Sequence, residues 1–345
     1  PWQVPVAAAV LVWCAGRPLT YLGHQAAARF GPAAAVRLVL AGFAVVALVW
    51  SGLLAALPAP LVGDRPRALL VSLPAVALLA AVAAALVTGS ETALLRWSLP
   101  ALAVAAAWLA EAPAVSGDPA GWALLAGIGL MLARASAPAW RRGGIARPGL
   151  ADLGPACGHL WLGLGQAAAV VGLWRVGDDL APASAGPAAV SPLLVTVPLT
   201  ELWIAWHVAT AACGRRGPLT LAAPLAILGT GTGLVAAAEH LPYGLSGHPV
   251  ARGVALVMAA GVLLAGLVAV GLLLSARQRP GLAAAVMLTP VAVTPLIAHG
   301  VPGLAADSLR GLGALAPAAV AVLAMTLAVA LVLTAAVLVD PRSEP

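Results

Sequence analysis

The chain has 345 residues, 62% of them hydrophobic and 9% charged, with a mean hydropathy of +1.02, whereas a soluble domain carries roughly 25% charged residues. That excludes a water-soluble globular fold, which cannot hide so much apolar surface. The net charge of +6 rests on eighteen arginines and no lysine, which excludes a Schiff-base lysine and a lysine-bearing phosphate loop.

Asparagine is absent too, so there is no N-glycosylation acceptor. Both absences fit the codon usage of a GC-rich genome. The arginines are scattered through short connections rather than gathered on one face, so they orient the chain in a bilayer and do not point to nucleic acid.

In chain order, apolar runs bounded by Pro, Gly and Arg predict spans at 2–16, 32–58, 68–88, 97–116, 120–138, 153–175, 190–213, 218–240, 252–276, 281–303 and 312–339. Each approaches the roughly 20 residues a spanning helix needs, apart from the first, which reads as truncated. None alternates with the period of two that an outer-membrane strand requires. The expected fold is all-α: a polytopic integral membrane helical bundle of about 10–11 transmembrane helices. It forms a single transmembrane domain over 1–345, since no linker is long enough for a soluble domain.

Charge bias predicts its orientation. Alternate connections and the C-terminal tail carry thirteen arginines: Arg17, Arg29, Arg37, Arg96, Arg134, Arg141, Arg142, Arg147, Arg215, Arg216, Arg277, Arg279 and Arg342. The positive-inside rule makes that side cytoplasmic, with the N-terminus outside and the C-terminus inside a cytoplasmic (inner) membrane. His24 then falls in a cytoplasmic loop. Cys14, Cys157 and Cys213 fall near cytoplasmic ends, match no metal-ligand spacing, and read as small packing residues. The segments "GLGQ" (Gly163 to Gln166) and "GTGTG" (Gly229 to Gly233) mark close helix approach. Trp97, Trp122, Trp140 and Trp203 near span ends read as interfacial anchors.

A charged side chain at bilayer depth costs about 2.5–3.5 kcal/mol, so residues placed there face a partner, a cavity or a substrate path. In "CGHLWLGLGQ", His159 and Gln166 share one helical face; in "TELWIAWHVAT", Glu201 lies about 120° round the helix from His207. These four are the candidate transport path for protons or a small polar solute, or else they hydrogen-bond neighbouring helices together.

A second group sits on the outer face. Glu239, His240, Ser246, His248 and His299 supply three imidazoles and a carboxylate, the residue types of acid–base or zinc chemistry and equally of a scattered interfacial set. No metal is expected, and the sequence leaves any cofactor open.

"LSGH" followed about fifty residues later by a histidine resembles the type 2 phosphatidic acid phosphatase family. That resemblance implies His299 as nucleophile and His248 as general acid at the outer leaflet. Leu245 stands where the family has Pro, no upstream cationic phosphate clamp is evident, and Gly303 stands where an Asp is expected. "GLSG" with the same histidine is similar to the rhomboid protease dyad, implying Ser246 as hydroxyl and His299 as base, with Ala211 where the family's asparagine belongs.

The expected function is a multi-pass transporter, or a membrane-embedded subunit of a transport or energy-coupling complex. Its partners are the lipid bilayer and other membrane subunits. The alternatives are an outer-face membrane enzyme using His248, His299 and Ser246, and a non-catalytic scaffold subunit.

Overall fold

The computed structural model describes residues 3–58, 62, 64–90, 119–140, 144, 146–180, 219–240, 249–277, 279–300 and 315–339. Among these, every regular element is helical. In chain order they are α1 (Gln3–Phe30), α2 (Pro32–Ala56), α3 (Arg65–Thr88), α4 (Pro119–Ser136) with a 3-10 turn at Ala137–Trp140, α5 (Leu150–Leu180), α6 (Leu219–His240), α7 (Pro249–Ala276), α8 (Pro280–Gly300) and α9 (Leu315–Val339). Four stretches are long and apolar enough to cross a membrane: Pro32–Ala56, Ala68–Thr88, Leu150–Leu173 and Ala255–Ser275. The predicted spans 97–116 and 190–213 lie outside the described residues.

The first helix differs from its prediction. Gly16, Arg17 and Pro18 read as the end of a short span, yet α1 continues through them to Phe30, which puts His24 on an exposed helical position rather than in a loop. Proline normally breaks a helix interior, because it removes a donor and clashes one turn back. Here packing holds the second half in place. Leu19 fills the notch at Gly42 on α2, and Gly23 sits against Val39 and Val87.

The helix ends where local chemistry ends it. Gly31 takes φ +84°, the left-handed conformation that suits glycine, and its amide bonds to the Ala27 carbonyl at 3.0 Å. Pro32 then opens α2 at a position where a missing N–H costs nothing. A single residue therefore turns the chain from α1 into α2. Gly89 closes α3 in the same way, at φ +64°, with Ser90 N–H reaching the Ala85 carbonyl at 2.9 Å.

The chain divides into two compact units, Pro1–Gly163 and Leu164–Pro345, with the division inside α5. In the first unit α1, α2 and α3 pack on one another, and α4 joins through α3 and α2. Its core is small-residue rich: Ala26, Ala34, Ala35, Ala80 and Ala83 bring the helices close around Val39, Phe43 and Val87. One buried polar pair crosses it, the Trp50 indole N–H donating to Ser72 Oγ at 2.7 Å, while Ser72 donates to the Ala68 carbonyl at 2.7 Å. By contrast the opposite face of α2 exposes Val45, Leu48, Val49 and Leu53. So much exposed apolar surface on one helix is unusual for a soluble monomer.

In the second unit α7 is the centre. It contacts α6, α8 and α9, and Leu263, Leu264, Leu267 and Leu274 are fully buried. A helix that is apolar all round belongs in such a position. Gly266 admits Leu327 and Ile227, and Gly231 admits Leu263. Gly229 and Gly233 of the same "GTGTG" stretch face open space, so only the middle glycine serves the close approach expected of the segment.

Candidate functional site

Within the first unit, one stripe of α1 faces one stripe of α5. Cys14, Tyr21 and Arg29 recur at intervals of seven and eight residues, and Asp152, His159 and Gly163 at seven and four, so each set lies on one helical face. The two stripes meet antiparallel. Gly163 has no side chain, and a Cβ there would lie 3.0 Å from the Cys14 Cα and 3.1 Å from the Trp13 carbonyl oxygen. Backbone therefore approaches backbone at that end, as small residues permit between membrane helices.

In the middle, the rings of Tyr21 and His159 stack with centroids 4.6 Å apart and an interplanar angle of 25°. That is the favourable offset range for aromatic pairs. Arg17, one turn before Tyr21, brings its positive charge within electrostatic reach of the imidazole.

At the far end, Arg29 grips Asp152 with both terminal nitrogens, Nη1 to Oδ2 at 2.7 Å and Nη2 to Oδ1 at 2.9 Å. The Arg29 side chain is half exposed, while that of Asp152 is 7% exposed. Asp152 also accepts the Gly149 amide at 3.0 Å. With Gly149 preceding α5, this is the backward half of a capping box, and the negative charge suits a helix N-terminus. The hydrogen bond to the carboxylate, and then its Coulomb attraction, hold the Arg29 proton more firmly than usual.

Sequence reading did not single out this pair. Arg29 entered only as a topological charge, and Asp152 not at all. The available signal was local: "PGLAD" places a glycine before α5 and an aspartate three residues later.

Of the candidate path, the structure describes His159 and Gln166. Gln166 continues the His159 face and is fully buried. Glu201 and His207 lie outside the described residues. So do Ser246 and His248, while His299, Glu239 and His240 are described only as backbone, at the ends of α8 and α6. The enzyme geometry that needs His248 beside His299 therefore lies outside the described residues. Among the described residues no group of three or more His, Cys, Asp or Glu could hold a metal. Cys14 is buried as a packing residue, whereas Cys157 is exposed.

Comparison with known protein families, curated proteins and solved structures returns no match. A groove of about 340 Å³ between α8 and α9 is lined by Leu282, Val286, Val293, Met325 and Leu333 among others, with Thr289 and Thr326 as its polar members. Among the described residues its lining has no ionisable group. The α1–α5 seam offers an imidazole and a phenol in contact, a nearby cation, and a carboxylate already neutralised by an arginine.

Proposed function

We propose that this chain is a multi-pass protein of the cytoplasmic (inner) membrane that moves protons or a small polar solute through its helical bundle, alone or as the embedded subunit of a transport or energy-coupling complex. The observation that carries the reading is the α1–α5 seam: Arg17, Tyr21, His159 and the Arg29–Asp152 pair line two facing helical stripes of an otherwise apolar chain. Ionisable groups at such positions mark ion or substrate paths in membrane bundles. Glu201, His207 and Gln166 extend the path in this proposal.

The orientation, N-terminus outside and C-terminus cytoplasmic, rests on the arginine bias. Arg17, counted in that bias as part of a connection, lies inside α1 instead, and the support comes from Arg29, Arg37, Arg134 and Arg147, which gather at one end of the first unit. The full bundle in this reading has about 10–11 spans.

The test uses the full chain in proteoliposomes loaded with a pH-sensitive dye under an imposed potential. Dye response is expected for the wild type, with loss in both His159→Gln and Glu201→Gln. A response that survives both substitutions removes the path, and no response in any protein removes proton movement, leaving a small polar solute or the scaffold alternative.

A further inference from the structure

One end of the first unit is basic and aromatic. The α1–α2 corner at Phe30, Gly31 and Pro32 forms it, and two other segments are pinned beside it. Ala139 of the 3-10 turn packs in a cluster with Val36 and Ala135. Ala146, just before α5, is buried in a cluster with Ala26, Ala34 and Ala35. These contacts bring Trp140 and Arg147 to the same end as Arg29 and Arg37, and α4 ends there with Arg134 in its last turn.

The described side chains at this end thus carry four arginines against one carboxylate, Asp152, which Arg29 already neutralises. Arg134 and Arg147 are exposed. Around them stand large apolar side chains in the open: Trp140 is 84% exposed, Leu150 89% and Phe30 59%. The opposite end of α2 lies about 37 Å away for a 25-residue helix. There Asp64 stands beside Arg65, which the Leu57 carbonyl occupies at 2.8 Å, and Arg67 follows in the first turn of α3.

We propose that this end is a docking face for anionic phospholipid headgroups, with Arg134 and Arg147 holding the phosphate and Trp140, Leu150 and Phe30 seated at the acyl boundary. Charge complementarity selects the occupant. Unpaired guanidiniums bind phosphate oxygens through planar paired donors, and arginines beside membrane helices attract anionic lipid. The flanking aromatic and leucine side chains suit the amphipathic layer between headgroup and hydrocarbon, where tryptophan is enriched. A soluble anion would use the arginines but leave the three apolar side chains in water. The inference rests on the membrane reading above.

The test is competitive lipid retention. The full chain is reconstituted in nanodiscs containing equal phosphatidylglycerol and phosphatidylcholine, extracted, and read by native mass spectrometry. The wild type is expected to retain phosphatidylglycerol preferentially. The double substitution Arg134→Gln/Arg147→Gln should lower that preference about 25-fold, at roughly fivefold for each arginine near a charged surface. Arg65→Gln at the other end should leave it unchanged, and Trp140→Ala should reduce retention of both lipids.

Equal retention of the two lipids by the wild type overturns the proposal, as does a preference that survives the double substitution with an unchanged thermal midpoint. Displacement of the lipid by inorganic phosphate at matched ionic strength overturns the lipid assignment. An alkaline wash separates the two readings: a chain released from the membrane fails the membrane reading, whereas a chain that stays embedded without lipid preference fails only this one.

Discussion

Asp152 accepts both terminal nitrogens of Arg29, 123 residues earlier in the chain, at 2.7 and 2.9 Å. The two partners are unequally buried, and that inequality sets what their removal does. Replacing Arg29 with Met strands a carboxylate that is 7% exposed, whereas replacing Asp152 with Asn leaves a half-exposed guanidinium that water can solvate. An unpaired buried charge is costlier than a lost contact. Arg29→Met should therefore lower the thermal midpoint in detergent more than Asp152→Asn does. Equal or reversed effects would show that the difference in burial does not set the cost, and no loss in either variant would show that the pair does not anchor α1 to α5.

Two glycines of similar sequence context should behave oppositely. A Cβ on Gly163 meets backbone atoms of Trp13 and Cys14 at 3.0–3.2 Å, and neither can rotate away. Gly163→Ala should destabilise by about 1–3 kcal/mol, the usual cost of overpacking. Nothing lies within 4 Å of a Cβ on Gly229, so Gly229→Ala should be neutral or gain up to about 1 kcal/mol of helix propensity. Unfolding in graded denaturing detergent measures both, and a costly Gly229→Ala would contradict the open space.

Ser72→Ala should cost about 1 kcal/mol in the same assay, within the range measured for interhelical hydrogen bonds in membrane proteins. The reason is that the buried Trp50 indole loses its acceptor. Trp50→Phe removes the donor while Ser72 keeps its bond to the Ala68 carbonyl. A double-mutant cycle over the two positions should show coupling of that size. Additive losses would mean that the pair contributes packing alone.

The Tyr21–His159 stack separates structure from transport. Tyr21→Phe keeps the ring contact and should leave stability nearly unchanged, while Tyr21→Ala loses the stack, worth roughly 0.5–1.5 kcal/mol beyond buried area. If the imidazole exchanges protons, His159→Phe should retain much of the stability and none of the pH-dependent uptake. Uptake unaffected by His159→Phe would make the stack purely structural.

Much of the helical pattern was legible in sequence. The predicted 32–58, 68–88, 252–276 and 312–339 agree within a few residues with α2, α3, α7 and α9, because apolar runs of helical length end at glycine, proline or arginine. The failure at α1 is equally physical. Gly16, Arg17 and Pro18 are local stop signals, and they were overruled by Leu19 at Gly42, Gly23 between Val39 and Val87, and Arg29 held by Asp152. No local rule contains those partners. Of the candidate site, His159 and Gln166 were recognised as polar residues on one face of an apolar helix, but their surroundings were not.

Composition and apolar run length by themselves determined the helical class, since those properties depend on each segment alone. Tertiary structure decided which polar residues meet. It set Tyr21 against His159, paired Arg29 with Asp152, and chose Gly163 and Gly231 over Gly229 and Gly233 as points of close approach. Those outcomes depend on which helices are neighbours and in what register, and residues more than a hundred positions apart leave no local pattern that announces their contact.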